Sequence, residues 1–224
     1  MKTINTLRNY IELSSTVADI IETQIKEHPL SKLGLSTGST PLGMYKELVS
    51  RELDWSTVIT FNLDVYLMNI NLPQSYQSYM RKNLFDRTNI YPNHYHFPFR
   101  PFSAFEDKIK GSKGIDLCIL GMGSNGHIAF NEPGSSFLSR TRVVNLSEQT
   151  IIDNTRFFDS VDDVPTQAIT MGLGTIMESK KIVLMVNGLK KKSILNQAMF
   201  GVITEDIPAS ILQEHKNVEI YYCD

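Results

Sequence analysis

Apolar residues in STVADIIETQIKEHP (Ser15 to Pro29) fall at Val17, Ile20, Ile21 and Ile25. Steps of three and four place them on one face of a helix, and Pro29 closes it. GIDLCILGMG (Gly114 to Gly123) and KKIVLMVNG (Lys180 to Gly188) are instead almost continuously apolar, as strands of a sheet covered on both faces are. KLGLSTGST reads as a short strand entering a Gly/Ser/Thr loop, and PLGMYKELVSR as a helix with Pro41 in its first turn. STVITFNLDVY predicts one strand ending at an acid. SYQSYMRKNLF and LKKKSILNQAMFG predict helices, and NVEIYYCD a terminal strand. HFPFRPFSAFEDK, in a proline-rich neighbourhood, reads as an irregular surface crossing. No repeat, linker or low-complexity tract interrupts the pattern. Strands alternating with helices predict an α/β fold, a Rossmann-like parallel sheet sandwiched by helices, as a single domain over residues 1–224.

Composition narrows the function classes. Hydrophobic residues make up 42% of the 224 and charged residues 21%, with a net charge of -2. No overall basic field points to nucleic acid, so a phosphorylated ligand needs locally placed cations. The two cysteines, Cys118 and Cys223, are far apart in apolar settings. That pattern reads as reduced thiols, with Cys118 a strand core residue rather than a nucleophile. No apolar run approaches the roughly 20 residues of a membrane span. The opening MKTINTLRNYIELSS lacks the apolar centre of a signal peptide, so a cytoplasmic location is expected.

GMGSNGHIAFNEPG (Gly121 to Gly134) matches G-x-G-x-x-G after a predicted strand. A dinucleotide site needs a helix to open at those glycines. Here Pro133 and Gly134 stand where it would run. The alternative message of the segment is His127 with Glu132, because a nearby carboxylate is the usual means of orienting an imidazole acid/base near neutral pH. Two other strand ends are suggestive. Ser36, Thr37, Gly38, Ser39 and Thr40 form a small-residue loop at a helix start, where N–H groups and the helix dipole favour an anion. Simple capping by Ser39 or Thr40 would also explain them. Asp64 ends a strand, where a carboxylate can abstract a carbon-bound proton or merely cap a turn. Arg156 and one of Lys190, Lys191 and Lys192 could supply cations, although lysine clusters are usually solvated faces. His28, His94, His96 and His215 form no convincing metal-ligand set with His127, and His94 and His96 are expected to face solvent. No metal or cofactor is expected.

LGLSTGSTPLGMYKELV, TFNLDVY, GMGSNGHIAFNEPGSSFLSRTRVVNL, NTRFF and TEDIPASILQEH, in this order, resemble the glucosamine-6-phosphate deaminase family. The resemblance runs from about Leu33 to the C-terminus, and GHIAFNEPG is its specific part. It implies conversion of glucosamine 6-phosphate and water to fructose 6-phosphate and ammonia. By position it makes Asp64 the base at C2 and His127 the ring-opening acid/base, oriented by Glu132 and Asn125. It puts Thr37 to Thr40 on the substrate loop and Arg156 and Lys191 on the phosphate. Val65 departs from the pattern, since the family usually carries a second acid after the base. Asn125 stands where some members have aspartate. The chain is shorter than hexameric relatives, which implies a monomer or small homo-oligomer. Related readings are a galactosamine-6-phosphate deaminase/isomerase or a 6-phosphogluconolactonase. A reading of a different class is a non-catalytic phosphosugar-binding protein.

Overall fold

The computed structural model describes residues 2–224. The first half of the chain forms β1 (Ile4–Thr6), α1 (Tyr10–Glu27), β2 (Lys32–Leu35), α2 (Leu42–Val49), β3 (Ile59–Asn62), β4 (Asp64–Tyr66), α3 (Tyr76–Asn83), β5 (Tyr95–His96) and α4 (Phe102–Gly111). The second half forms β6 (Leu117–Gly121), β7 (Arg142–Asn145), α5 (Glu148–Asn154), β8 (Gln167–Thr170), α6 (Leu173–Met177), β9 (Lys181–Asn187), α7 (Lys192–Phe200) and β10 (Val218–Cys223). Seven strands make one parallel sheet in the order β1-β10-β9-β6-β2-β3-β5.

The apolar runs behave as a doubly covered sheet requires. Along β6, Leu117 and Ile119 pack with α1 and α2, whereas Cys118 and Leu120 pack with α4, α6 and α7. Along β9, Val183 and Met185 take the first face, and Ile182, Leu184 and Val186 the second. Period-two alternation therefore feeds two cores from one strand. Cys118 is wholly buried, and burial pushes its thiol up to about 12, so it is packing rather than nucleophile.

Three sequence expectations need correction. The segment Ser56 to Tyr66 is two strands, because the chain leaves the parallel sheet at Leu63. From there β4 joins β8 and β7 in a small antiparallel sheet. The segment after Pro101 is not irregular: α4 buries Phe105, Glu106 and Ile109 at helical spacing, with Pro101 as its N-terminal cap residue. His96 does not face solvent. It is half-buried against the Phe61 ring, with centroids 5.4 Å apart, and burial lowers its pKa to about 4.

Strands β2, β3 and β5 run outward in one direction from the middle of the sheet, and β6, β9 and β10 run in the other. The β2–β6 seam is thus the topological switch point, where loops from adjacent strands diverge and leave a crevice at the carboxyl ends.

Candidate active site

A cleft of about 400 Å³ opens at that crevice. Its walls come from the loop after β2 (Ser36 to Thr40), Asp64 on β4, the β6 loop with His127, and the ends of α5 and β9, which bring Arg156 and Lys191. Nine of the eleven residues singled out in the sequence line it; Asn125 and Glu132 do not, and stand behind His127. No helix follows the glycines of the β6 loop: the next regular element is the strand β7. The dinucleotide reading fails on that ground.

Asp64 is buried, and its Oδ1 has no hydrogen-bond partner. Burial pushes its carboxyl up to about 7, against a smaller opposite pull from the Thr37 hydroxyl. Its position follows from the small sheet, where Asp64 pairs with Thr170 and Met171 N–H donates to Leu63 O at 2.7 Å. Alternation along β4 puts Tyr66 on the side of Asp64 and turns Val65 away. Val65 instead sits across from Ile169, which is itself opposite Val143. An acid at position 65 would enter that apolar row, not the cleft.

His127 Nδ1 lies 3.5 Å from Glu132 Oε2 and 3.4 Å from Thr150 Oγ1. Glu132 Oε2 also accepts from Asn125 Nδ2 at 2.8 Å and from Ser147 Oγ at 3.1 Å. Burial alone would raise the Glu132 carboxyl. The contact with His127, and then those from Thr150 and Asn125, override it and hold it at about 2. Glu132 is therefore a fixed anion. It engages Nδ1, which leaves Nε2 as the nitrogen available to a substrate. Asn125 closes the frame from the other side, its Oδ1 accepting from the His127 N–H at 3.2 Å.

Two supporting residues lie outside the eleven singled out in the sequence, although Gly123 is the second glycine of the G-x-G-x-x-G match. Asn131 is fully buried, and its amide donates to Ile128 O and Met171 O at 3.0 and 2.8 Å, tying the His127 loop to the small sheet. Gly123 is required by the ring itself, because a Cβ there would lie 2.2 Å from His127 Cε1. Gly123→Ala is accordingly expected to displace the imidazole and lower turnover about 100-fold while the fold persists. Turnover and circular dichroism on the same sample check this.

At the other end of the cleft the β2 loop meets two cations. Arg156 Nη2 donates to Ser39 Oγ at 3.1 Å, with its guanidinium over the Phe157 ring. Lys191 Nζ donates to Met122 O at 2.5 Å, and burial lowers its pKa. Lys190 also reaches the cleft but is exposed. The first residue of α2 follows Pro41, and no side chain caps the helix, so Ser39 and Thr40 are not spent on capping. Among the described residues, no three His, Cys, Asp or Glu side chains are grouped to hold a metal ion. No helix among them is long and apolar enough to cross a membrane.

Comparison with known proteins identifies the family of the chain. The family described as glucosamine-6-phosphate isomerases/6-phosphogluconolactonase matches residues 9–221. A glucosamine-6-phosphate deaminase of Thermoanaerobacter sp. (strain X514) is 47% identical over 232 residues, covering 98% of this chain and 91% of that protein. One of Clostridium novyi (strain NT) is 46% identical over 229 residues, covering 97% and 95%. The solved structure of a monomeric glucosamine-6-phosphate deaminase aligns with a TM-score of 0.95 at 39% identity, covering 100% of this chain and 97% of that one. With a buried carboxyl, a framed imidazole and a small-residue loop at one switch point, on a chain this similar, one assignment is left: the protein belongs to the glucosamine-6-phosphate isomerase/6-phosphogluconolactonase family.

Proposed function

We propose that residues 1–224 form one phosphosugar isomerase/deaminase domain acting as a glucosamine-6-phosphate deaminase. The observation that carries this reading is Asp64: a buried carboxyl with a free oxygen, held at about 7, on the wall of a cleft that also holds His127 and the anion loop. The phosphate is held by the Ser36–Thr40 loop with Arg156 and Lys191. His127 Nε2 moves a proton between the anomeric hydroxyl and the ring oxygen, which opens the sugar. Asp64 then takes the C2 proton, turning the aldehyde and amine-bearing carbons into an enolamine, and returns a proton to C1. The imine left at C2 is hydrolysed by water, and ammonia leaves. Glu132 and Asn125 hold the imidazole throughout. The small substrate needs no second chain to complete this cleft, which supports a monomer or small homo-oligomer.

A lactonase attacks a carbonyl with water and needs no base at C2, so the placement of Asp64 favours deamination. Incubation with glucosamine 6-phosphate and with its galacto epimer tests the reading, with ammonia, fructose 6-phosphate and deuterium uptake, at C2 of recovered substrate and at C1 of the product, measured. Ammonia release and uptake at C2 are expected with the gluco substrate. Neither, with hydrolysis of a phosphogluconolactone instead, would replace the reading. No turnover of either class, with phosphosugar binding intact, would leave a binding protein.

The burial difference between neighbouring lysines gives a second check. Lys191→Ala is expected to weaken phosphosugar binding about 30-fold or more, and Lys190→Ala less than 3-fold, as a desolvated charged hydrogen bond outweighs a solvated one. Calorimetric titration of both variants measures it. Small, equal effects would reduce the cluster to a surface.

A further inference from the structure

The loop assigned to the phosphate presents a problem of sign. Each of its peptide groups carries a carbonyl dipole as well as an N–H, and a carbonyl turned into the cleft would repel an anion as strongly as an N–H attracts it. The chain resolves this with tyrosines. Tyr45 Oη donates to Ser36 O at 2.5 Å, and Tyr79 Oη donates to Gly38 O at 2.7 Å. The Tyr10 hydroxyl lies 3.0 Å from both Ser39 O and Thr40 O, sharing its hydrogen between them, and accepts from Gly43 N–H at 2.8 Å. Four of the five loop carbonyls thus end on phenol hydroxyls. The three tyrosines come from three helices, α1, α2 and α3, on one face of the sheet. Tyr45 and Tyr79 brace each other edge to face, with centroids 6.3 Å apart. Meanwhile the N–H groups of Thr37 to Thr40 donate to no backbone acceptor among the described residues. Carbonyls are occupied by hydroxyls from the helices, while the donors of a loop that lines the cleft are unspent, as a backbone anion nest requires. Gly38, at φ +93°, is the residue that permits the reversal.

We propose that Tyr10, Tyr45 and Tyr79 are positioning residues that set the polarity of the phosphate loop by holding its carbonyls away from the ligand. The inference rests on the reading of Ser36–Thr40 as the phosphate site. It goes beyond that reading by assigning three residues that do not themselves touch the ligand. A tyrosine-to-phenylalanine change keeps the ring packing and removes only the hydroxyl. The freed carbonyl can then rotate, and each rotation both withdraws an N–H and adds a repulsive oxygen.

Tyr79→Phe is the sharpest test, because its hydroxyl holds the carbonyl of the one loop glycine. In the full chain it is expected to raise KM for glucosamine 6-phosphate and Ki for inorganic phosphate together, each about 10-fold, with kcat within about twofold. Tyr10→Phe, which frees two carbonyls, is expected to do the same independently. Melting temperature, read in parallel, separates anion affinity from packing. Unchanged Ki for phosphate in both variants, whatever happens to Tm, overturns the proposal, as does a fall in kcat with KM unmoved. A wild-type protein that does not bind phosphate overturns it as well. Should the wild type bind phosphate in a Tyr79-dependent manner yet deaminate no amino-sugar phosphate, the proposed reaction falls and the loop assignment stands.

Discussion

Asp64→Asn is expected to abolish turnover and, at pH 8, to make the protein harder to unfold. The carboxyl titrates at about 7 in the folded chain against an ordinary value of 3.8. Its folded pKa is raised, so the folded state favours the neutral acid. Stability is therefore highest below pH 4 as far as this group is concerned, and falls as pH rises towards 7. Above pH 7 the buried anion costs on the order of 4 kcal/mol. Asparagine removes that charge but brings an amide that costs about 1–3 kcal/mol if unpartnered. The net gain is about 2 kcal/mol at pH 8, or about 4–8 °C in Tm for a chain of this size, and it reverses to a loss of about 2 kcal/mol near pH 4, where only the amide cost remains. Activity moves the other way. An amide cannot take the C2 proton, so deamination and C2 exchange should fall about 10³- to 10⁴-fold while phosphosugar binding survives. In the wild type the same titration should make kcat/KM rise with pH through about 7. Thermal melts at pH 4 and 8, with C2 exchange in heavy water followed by mass spectrometry, check both halves. A variant that exchanges at wild-type rate, or melts lower at pH 8, would remove Asp64 from the role.

His127→Gln should separate ring opening from carbon-acid chemistry. Glutamine cannot shuttle a proton between the anomeric and ring oxygens, so deamination of the closed sugar is expected to drop about 100- to 1000-fold. Asp64 is untouched, because it is held by the small sheet and not by the β6 loop. An analogue locked in the open-chain form bypasses the lost step, and at least about tenfold of the loss should return on it. Asp64→Asn should gain nothing from the same compound. Equal losses of His127→Gln on closed and open forms would place the imidazole in the later steps.

Much of this site was legible because it depends on strand ends. Apolar runs located β2, β6 and β9, and a parallel sheet puts its chemistry at their carboxyl termini, so the Ser36–Thr40 loop, His127 and Lys191 had to be neighbours. The helix expected from Ser15 begins earlier, at Tyr10, and its start was not read although a local signal marks it. Asn9 accepts from Glu12 N–H at 2.9 Å while Glu12 Oε2 accepts from Arg8 N–H at 2.6 Å, a capping signal that begins the helix five residues before Ser15. The other features that escaped depend on partners distant in sequence. Nothing local marks Leu63 as the place where a strand changes sheets, since Thr170 and Met171 provide the pairing. Helix α4 was obscured by prolines that introduce it rather than break it, with Pro101 just before its first residue. The need for Gly123 is steric and arises only once the His127 ring is in place.

The seam between β2 and β6 has a thermodynamic consequence. Its register joins Leu33 to Leu117 and Gly34 to Cys118, and a Cβ at Gly34 would lie 2.7 Å from the Cys118 sulfur. One half of the sheet brings the Ser36–Thr40 loop to the cleft, and the other brings His127 and Lys191. A partly unfolded state in which the halves separate therefore has no complete binding site, even if each half keeps its own helices. Ligand linkage then acts on the joint itself: at a phosphosugar concentration 100 times Kd, separation becomes harder by about 2.7 kcal/mol. Substrate would act as a reversible clasp across the protein's midline, and hydrogen-exchange protection would rise on both sides of the seam together.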